Sequence, residues 1–95
     1  MDFEWDEDKG LVKLEKHGID FFDARKIWAG KVLDPVAQRN VEGEARPTAL
    51  GTIGEDEMII AVVYTVRDSM VRLISARRAR RDERKDYQDR FGRGI

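Results

Sequence analysis

The chain of 95 residues has no cysteine and a single histidine, His17. Without thiols there is no disulfide staple, no thiolate nucleophile and no zinc site of the cysteine type. One histidine rules out a His-x-x-x-His metal pair. A Ser-His-Asp arrangement would have to recruit His17, and no Gly-x-Ser-x-Gly turn presents a serine to it. The glycines never gather into a phosphate loop of the P-loop or dinucleotide type. No apolar run is long enough to span a membrane, and the N-terminus has no basic-then-apolar signal layout, so a cytoplasmic protein is expected. Two-carboxylate glycosidase chemistry finds no support in the spacing of the acids. Scattered carboxylates leave a magnesium site open, but no cofactor is expected.

Charge is what the chain has in abundance. Charged residues make up 39% and hydrophobic ones 41%, the profile of a polar-surfaced globular domain, here read as one domain over residues 1–95. The net charge of −1 hides an asymmetry. Residues 1–66 hold 8 Lys+Arg against 14 Asp+Glu, whereas residues 67–95 hold 10 against 5. A basic C-terminal third points to an acidic partner, either nucleic acid or protein, unless the two parts neutralise each other in the fold.

The organising stretch is residues 57–78, EMIIAVVYTVRDSMVRLISARR. Met58 to Val66 is almost wholly apolar and rich in β-branched residues, which fits a central strand buried on both faces. A tight turn at Asp68-Ser69 would place Arg67 opposite Met70, Thr65 opposite Arg72 and Tyr64 opposite Leu73. In that register Arg67 and Arg72 share a face and Arg77 falls on the other, unless a bulge or strong twist intervenes.

Before this hairpin, Phe3-Glu4-Trp5 alternates as a short edge strand would. Asp6 caps a first helix that carries Lys16 and His17 in its last turn and ends at Gly18. Leu11 and Leu14, with Val12 beside them, give it a narrow apolar stripe. Asp20 caps a second helix whose Phe21, Ala24, Ile27 and Trp28 share one face and which ends at Gly30. Val32-Leu33 reads as a brief strand stopped by Asp34-Pro35, and residues 36–45 as an irregular connection. Arg46 to Ile53 is a strand whose Pro47 marks an edge or bulge. Arg80 to Phe91 is a highly charged helix with a thin stripe of Ala79, Tyr87 and Phe91. The expected architecture is α+β: an N-terminal helical hairpin on a largely antiparallel sheet, a charged C-terminal helix, and all helices gathered on one face.

With these exclusions, the chemistry left rests on arginine, lysine, tyrosine and one histidine. Such groups suit metal-independent cleavage of RNA. The 2′-hydroxyl is the built-in nucleophile, so the protein supplies a base, an acid and cations for the phosphorane. Arg67, Arg72, Arg77 and Arg78 are candidates for the cations, because guanidinium matches phosphate oxygens bidentately. His17 has the pKa range for acid–base work, Tyr64 or Tyr87 could donate a proton or stack on a base, and Lys9 adds charge. Each residue also has a plainer reading: His17 as a helix cap, Arg67 as solvation of a turn, the 77–81 arginines as a solvated helix start, and Tyr87 and Phe91 as core. A binding module without catalysis remains the alternative. Direct DNA reading by the last helix is disfavoured by Asp82, Glu83, Asp86 and Asp89.

The segments FEWDEDK, EKHGIDFFDA, GEARPTALG, VVYTVR and RLISARRARRDERKDY, in this order, resemble the BrnT family of bacterial type II toxins from Phe3 to Tyr87. The resemblance implies a RelE-like fold, endoribonuclease activity that arrests translation, and a BrnA-like antitoxin. Such antitoxins carry a ribbon-helix-helix domain, so contact with DNA would be indirect. The family's motifs fall on Lys16-His17-Gly18, Glu44 and Arg46, Tyr64, Thr65 and Arg67, Ser75-Ala76-Arg77, and Glu83 and Tyr87. Lys13 stands where many members carry asparagine. The resulting candidate site has His17, Arg67, Arg77 and Tyr64 as catalytic residues, and Lys9, Lys16, Arg46, Arg72, Arg78 and Tyr87 as RNA contacts.

Overall fold

The computed structural model describes residues 1–92. The elements in order are β1 (Asp2–Glu4), α1 (Glu7–His17), α2 (Phe21–Ala24) running into a 3-10 helix (Arg25–Ala29), β2 (Leu33–Val41), β3 (Glu44–Ile53), β4 (Met58–Arg67), β5 (Met70–Arg78) and α3 (Arg81–Phe91). The strands form one five-stranded sheet in the order β1-β5-β4-β3-β2. β1 pairs parallel to β5, and every other pair is antiparallel. The α+β class is as expected, and the apolar β4 is the central strand. Among the described residues, no helix is long and apolar enough to cross a membrane.

Local signals set most of the element ends. The Asp6 carboxylate accepts from the Lys9 N–H at 3.1 Å, and Gly18 closes α1 at φ 74°, the left-handed conformation that glycine adopts without a Cβ penalty. Asp20 caps α2 through the Phe22 N–H at 2.9 Å. α2 is only one turn before it tightens to 3-10 geometry, and the helical run from Phe21 to Ala29 ends at Gly30 as its pattern suggested. β4 and β5 meet across Asp68 and Ser69, both at positive φ, with Arg67 opposite Met70, Thr65 opposite Arg72 and Tyr64 opposite Leu73.

Three expectations are corrected. The first concerns residues 34–45. Instead of stopping at Pro35, β2 runs to Val41 and turns at Glu42-Gly43 directly into β3. Pro35 fits because β2 is an edge strand whose register slips between Leu33 and Ala37, where no ladder N–H is required. Pro47 sits one residue beyond the end of the β3–β4 ladder, whose outermost pair at that end is Thr48 with Val63.

The second concerns the layers. Ile60, Val62, Leu73 and Ala76 pack with Ile19, Phe21, Ala24 and Ile27 on one face of the sheet. Leu50 and Ala61 point the other way and pack with Ala79 and Tyr87, so α3 covers the opposite face. A central strand apolar on both sides needs cover on both sides, and α3 supplies the second.

The third concerns α1, which buries no side chain fully and leaves Leu11 and Val12 exposed. At Gly10 it lies against Trp5 and Phe21, which a Cβ there would meet at 3.4 and 3.5 Å.

Candidate active site

The β4–β5 pairing carries a one-residue shift. Val63 pairs with Ser75 and Tyr64 with Leu73, so Ile74 is the extra residue of a β-bulge. Side chains alternate along a strand, and one inserted residue changes the phase of everything beyond it. Arg72 pairs with Thr65 and Arg77 pairs with Ala61, and both partners lie on the odd-numbered face of β4 with Arg67. The bulge therefore brings Arg67, Arg72 and Arg77 to one face. Glu44, Arg46 and Thr48 of β3 join them, since Thr48 pairs with Val63, and Glu4 of β1 joins opposite Arg72. α3 covers only the part of this face near Leu50 and Ala61, leaving the end near the β4–β5 turn open.

Arg46, Arg67, Arg72 and Arg77 are each held by a carboxylate, whereas Arg39, opposite Arg46 on the same face, makes no ion pair among the described residues. The Nε and Nη2 of Arg67 both donate to Glu44 Oε2, at 2.8 and 2.6 Å, and Arg46 Nε donates to Glu44 Oε1 at 3.3 Å. Arg72 Nη1 donates to Glu4 Oε2 at 2.8 Å. Arg77 forms a fork with Glu83 of α3, Nη1 to Oε1 at 2.7 Å and Nη2 to Oε2 at 3.1 Å. The Arg77–Glu83 pair is the least exposed of these, at 21% and 13% of the side chains. The hydrogen bonds from Arg67, then its charge and those from Arg46, hold Glu44 below the usual carboxylate range, against a desolvation that pushes the other way. Glu83 is likewise held low, first by Arg77 and then by the Arg80 N–H, and Arg77 is pushed up, first by its hydrogen bond to Glu83.

His17 ends α1. Desolvation lowers its pKa from the ordinary 6.5, and the positive charges of Lys16, Lys13 and Arg77 lower it further. Each of these favours the neutral imidazole, with Arg77 the smallest contributor.

The remaining candidates lie elsewhere. Tyr64 is on the opposite face of β4. Its ring meets Trp28 edge-on at 5.2 Å, and its hydroxyl donates to Asp34, which also accepts from Trp28 Nε1 at 3.2 Å. Burial first, and then the Asp34 carboxylate, push the Tyr64 phenol well above its ordinary range. It does not converge with the arginines. Tyr87 is core, 6% exposed, with its hydroxyl donating to the Lys31 carbonyl at 2.8 Å. Arg78 pairs with Ile60 and so belongs to the other face. Lys9 and Lys16 are exposed along α1. Glu4, which holds Arg72, is the site residue that sequence reasoning missed. The Phe3-Glu4-Trp5 alternation did point it away from the two aromatics.

The arginine face is open at its Arg67 end, where that side chain is 51% exposed, while Arg77 beside α3 is 21% exposed. A cleft of about 490 Å³ is lined by Lys31, Thr52, Asp56, Glu57, Tyr87 and Phe91 among others, and contains none of the paired arginines. Small-molecule sites enclose most of their ligand, so a flat guanidinium-bearing face suits an extended polyanion better. Among the described residues, no group of three or more His, Asp or Glu side chains is placed to hold a metal ion.

Fold and face together define a class: a small α+β domain with a carboxylate-ordered arginine surface. A family model described as the ribonuclease toxin BrnT of type II toxin-antitoxin systems matches residues 5–83. The chain belongs to this family of ribonuclease toxins, and membership implies an antitoxin partner. No curated protein sequence matches the chain significantly.

Proposed function

We propose that the chain is the toxin of a type II pair and acts in the cytoplasm as a metal-independent endoribonuclease of RelE-like arrangement. Its cleavage arrests translation, and a BrnA-like antitoxin neutralises it. The observation that carries this reading is the bulge at Ile74, which sets Arg67, Arg72 and Arg77 on one face, open at the Arg67 end and bordered by α3 at Arg77. Arg67 and Arg77 bind the non-bridging oxygens of a phosphodiester and stabilise the charge that grows on them in the phosphorane. The ribose 2′-oxygen attacks phosphorus and loses its proton, the P–O5′ bond breaks, and the leaving oxygen takes up a proton. The products are a 2′,3′-cyclic phosphate and a 5′-hydroxyl. His17, held neutral, is the group suited to accept the first proton or, once charged, to donate the second. Arg46 and Arg72 extend the phosphate track, with Lys16 beside His17.

The test is incubation of purified, antitoxin-free protein with total RNA in EDTA, alongside Arg67→Ala and Arg77→Ala variants and a mock preparation. Cleavage by wild type, ending in cyclic or 3′-phosphate and lost in both variants, is expected. Cleavage that disappears with chelator and returns with magnesium refutes the mechanism.

The second reading is a non-catalytic binding surface. It is favoured by the carboxylate already seated on each of Arg46, Arg67, Arg72 and Arg77. Under it, wild-type protein leaves RNA intact with and without ribosomes, and the arginine variants weaken only partner binding.

A further inference from the structure

A guanidinium has two edges that can grip a pair of oxygens. One is the end edge, made by Nη1 and Nη2. The other is the side edge, made by Nε and Nη2. Glu83 occupies the end edge of Arg77, and the second Nη1 hydrogen points to the Arg78 carbonyl at 3.3 Å. Nε and the remaining Nη2 hydrogen make no hydrogen bond among the described residues, so the whole side edge is free. Glu83 is itself fixed from a second direction, because its Oε1 also accepts from the Arg80 N–H at 2.8 Å at the start of α3. The arrangement at Arg67 is the reverse. Glu44 takes the side edge through one oxygen, which leaves the end edge open.

We infer that Glu83 is a positioning residue for RNA cleavage, holding Arg77 by its end edge so that the Nε/Nη2 edge stays presented to a phosphate of the RNA backbone. The carboxylate is then a bracket that remains in place while substrate binds, and a phosphate need not displace it. An unheld arginine on a strand would spread over its rotamers, and its hydrogen-bonding edge would have to be ordered each time substrate arrived. This rests on the reading of Arg77 as a phosphate ligand given above. The paired charges on the face, which there favoured a non-catalytic surface, here become the means of orientation.

The experiment compares single-turnover cleavage of a short RNA by wild type, Arg77→Ala, Glu83→Ala, Glu83→Gln and the Arg77→Ala/Glu83→Ala double variant, each checked by thermal melting. Loss of a transition-state donor and misplacement of a reacting group each lower rates by about 100-fold. The expected result is a loss of that order in Arg77→Ala, a loss of about tenfold or more in Glu83→Ala, and under about twofold further loss when Glu83 is removed from Arg77→Ala. Guanidinium ion at millimolar, non-denaturing levels should restore part of the activity of Arg77→Ala, seated on Glu83, and none in the double variant. A Glu83→Ala loss of the same size in the Arg77→Ala background, or full activity of Glu83→Ala, overturns the inference. Full activity of Arg77→Ala instead overturns the underlying reading, so the two failures are distinct. Should the variants not fold, wild-type protein decides. The Arg77 Nε–H resonance should shift when a 2′-O-methyl oligonucleotide binds. Its staying put while other resonances move refutes the inference, and absence of any binding refutes the RNA reading.

Discussion

Replacing Thr65 with valine tests how the arginine face is held together. Pro47 has no N–H to donate, and the β3–β4 ladder ends one residue short of it. Beyond that point β3 still has to carry Glu44 and Arg46 alongside Arg67. The Thr65 hydroxyl spans the gap, donating to the Ala45 carbonyl at 2.9 Å from a side chain that is 3% exposed. Valine keeps the shape and the methyl group but removes this bond. A neutral hydrogen bond contributes about 1 kcal/mol net, and the Ala45 carbonyl can turn to water because its residue is exposed, so the expected loss is about 1 kcal/mol. In a domain of this size that lowers Tm by about 4–8 °C. Thr65→Ser keeps the bond and loses a buried methyl at a similar cost of about 0.8 kcal/mol, so stability alone does not separate the two. Activity does. Only valine releases the strand end that positions Glu44 against Arg67, so RNA cleavage measured well below Tm should fall in Thr65→Val and be retained in Thr65→Ser. Equal activity in the two variants, or an unchanged Tm for Thr65→Val, would refute the reasoning.

Gly51→Ala should destabilise by about 1–3 kcal/mol in denaturant melts, because a Cβ built there overlaps the Cβ of Ile27 and pushes the 3-10 helix off the sheet. If His17 is the base, the acid limb of the cleavage profile should lie below pH 6.5, since activity is lost as pH falls through its lowered pKa. Added salt should move that limb upward by screening Lys16, Lys13 and Arg77. Glu83 titrates lower when folded than its ordinary 4.5, so the stability it contributes is present above that pH and is lost as pH falls through the lowered value. Glu83→Gln should flatten stability against pH in that acid window, which equilibrium melts from neutral to acid pH would show.

The parts of the fold that were legible in the sequence are those decided locally. Asp6, Gly18 and Asp20 act on their own helix ends, and the Asp68-Ser69 turn fixes the hairpin register within a few residues. What could not be read depended on a neighbour. Val-Ala-Gln-Arg-Asn-Val lacks the alternation of a strand because β2 is an edge with little to bury, and it forms by pairing with β3. The side taken by α3 follows from the two-faced apolar β4, whose burial on both sides was foreseen while its consequence for the helices was not. At the site, Arg67 and Arg72 were placed by simple alternation. Arg77 was not, because Ile74 looks like any other apolar strand residue and nothing in its type marks it as the extra one. Tyr64 shows the same parity from the other side: one position from Thr65, it belongs to the helical layer.

The bulge also gives β5 a residue to spare. Deleting Ile74 would straighten the strand and leave the pairs on either side as they are, Leu73 with Tyr64, Ser75 with Val63 and Arg77 with Ala61, so Arg77 would stay on the face with Arg67 and Arg72. Deleting Val71 would instead bring Arg72 opposite Val66 and turn it toward the layer of Phe21 and Ile27, with the slip taken up at Ile74 before it reaches Arg77. Along this gene, harm from a single-codon deletion depends on whether a spare residue lies between it and the charges it would displace.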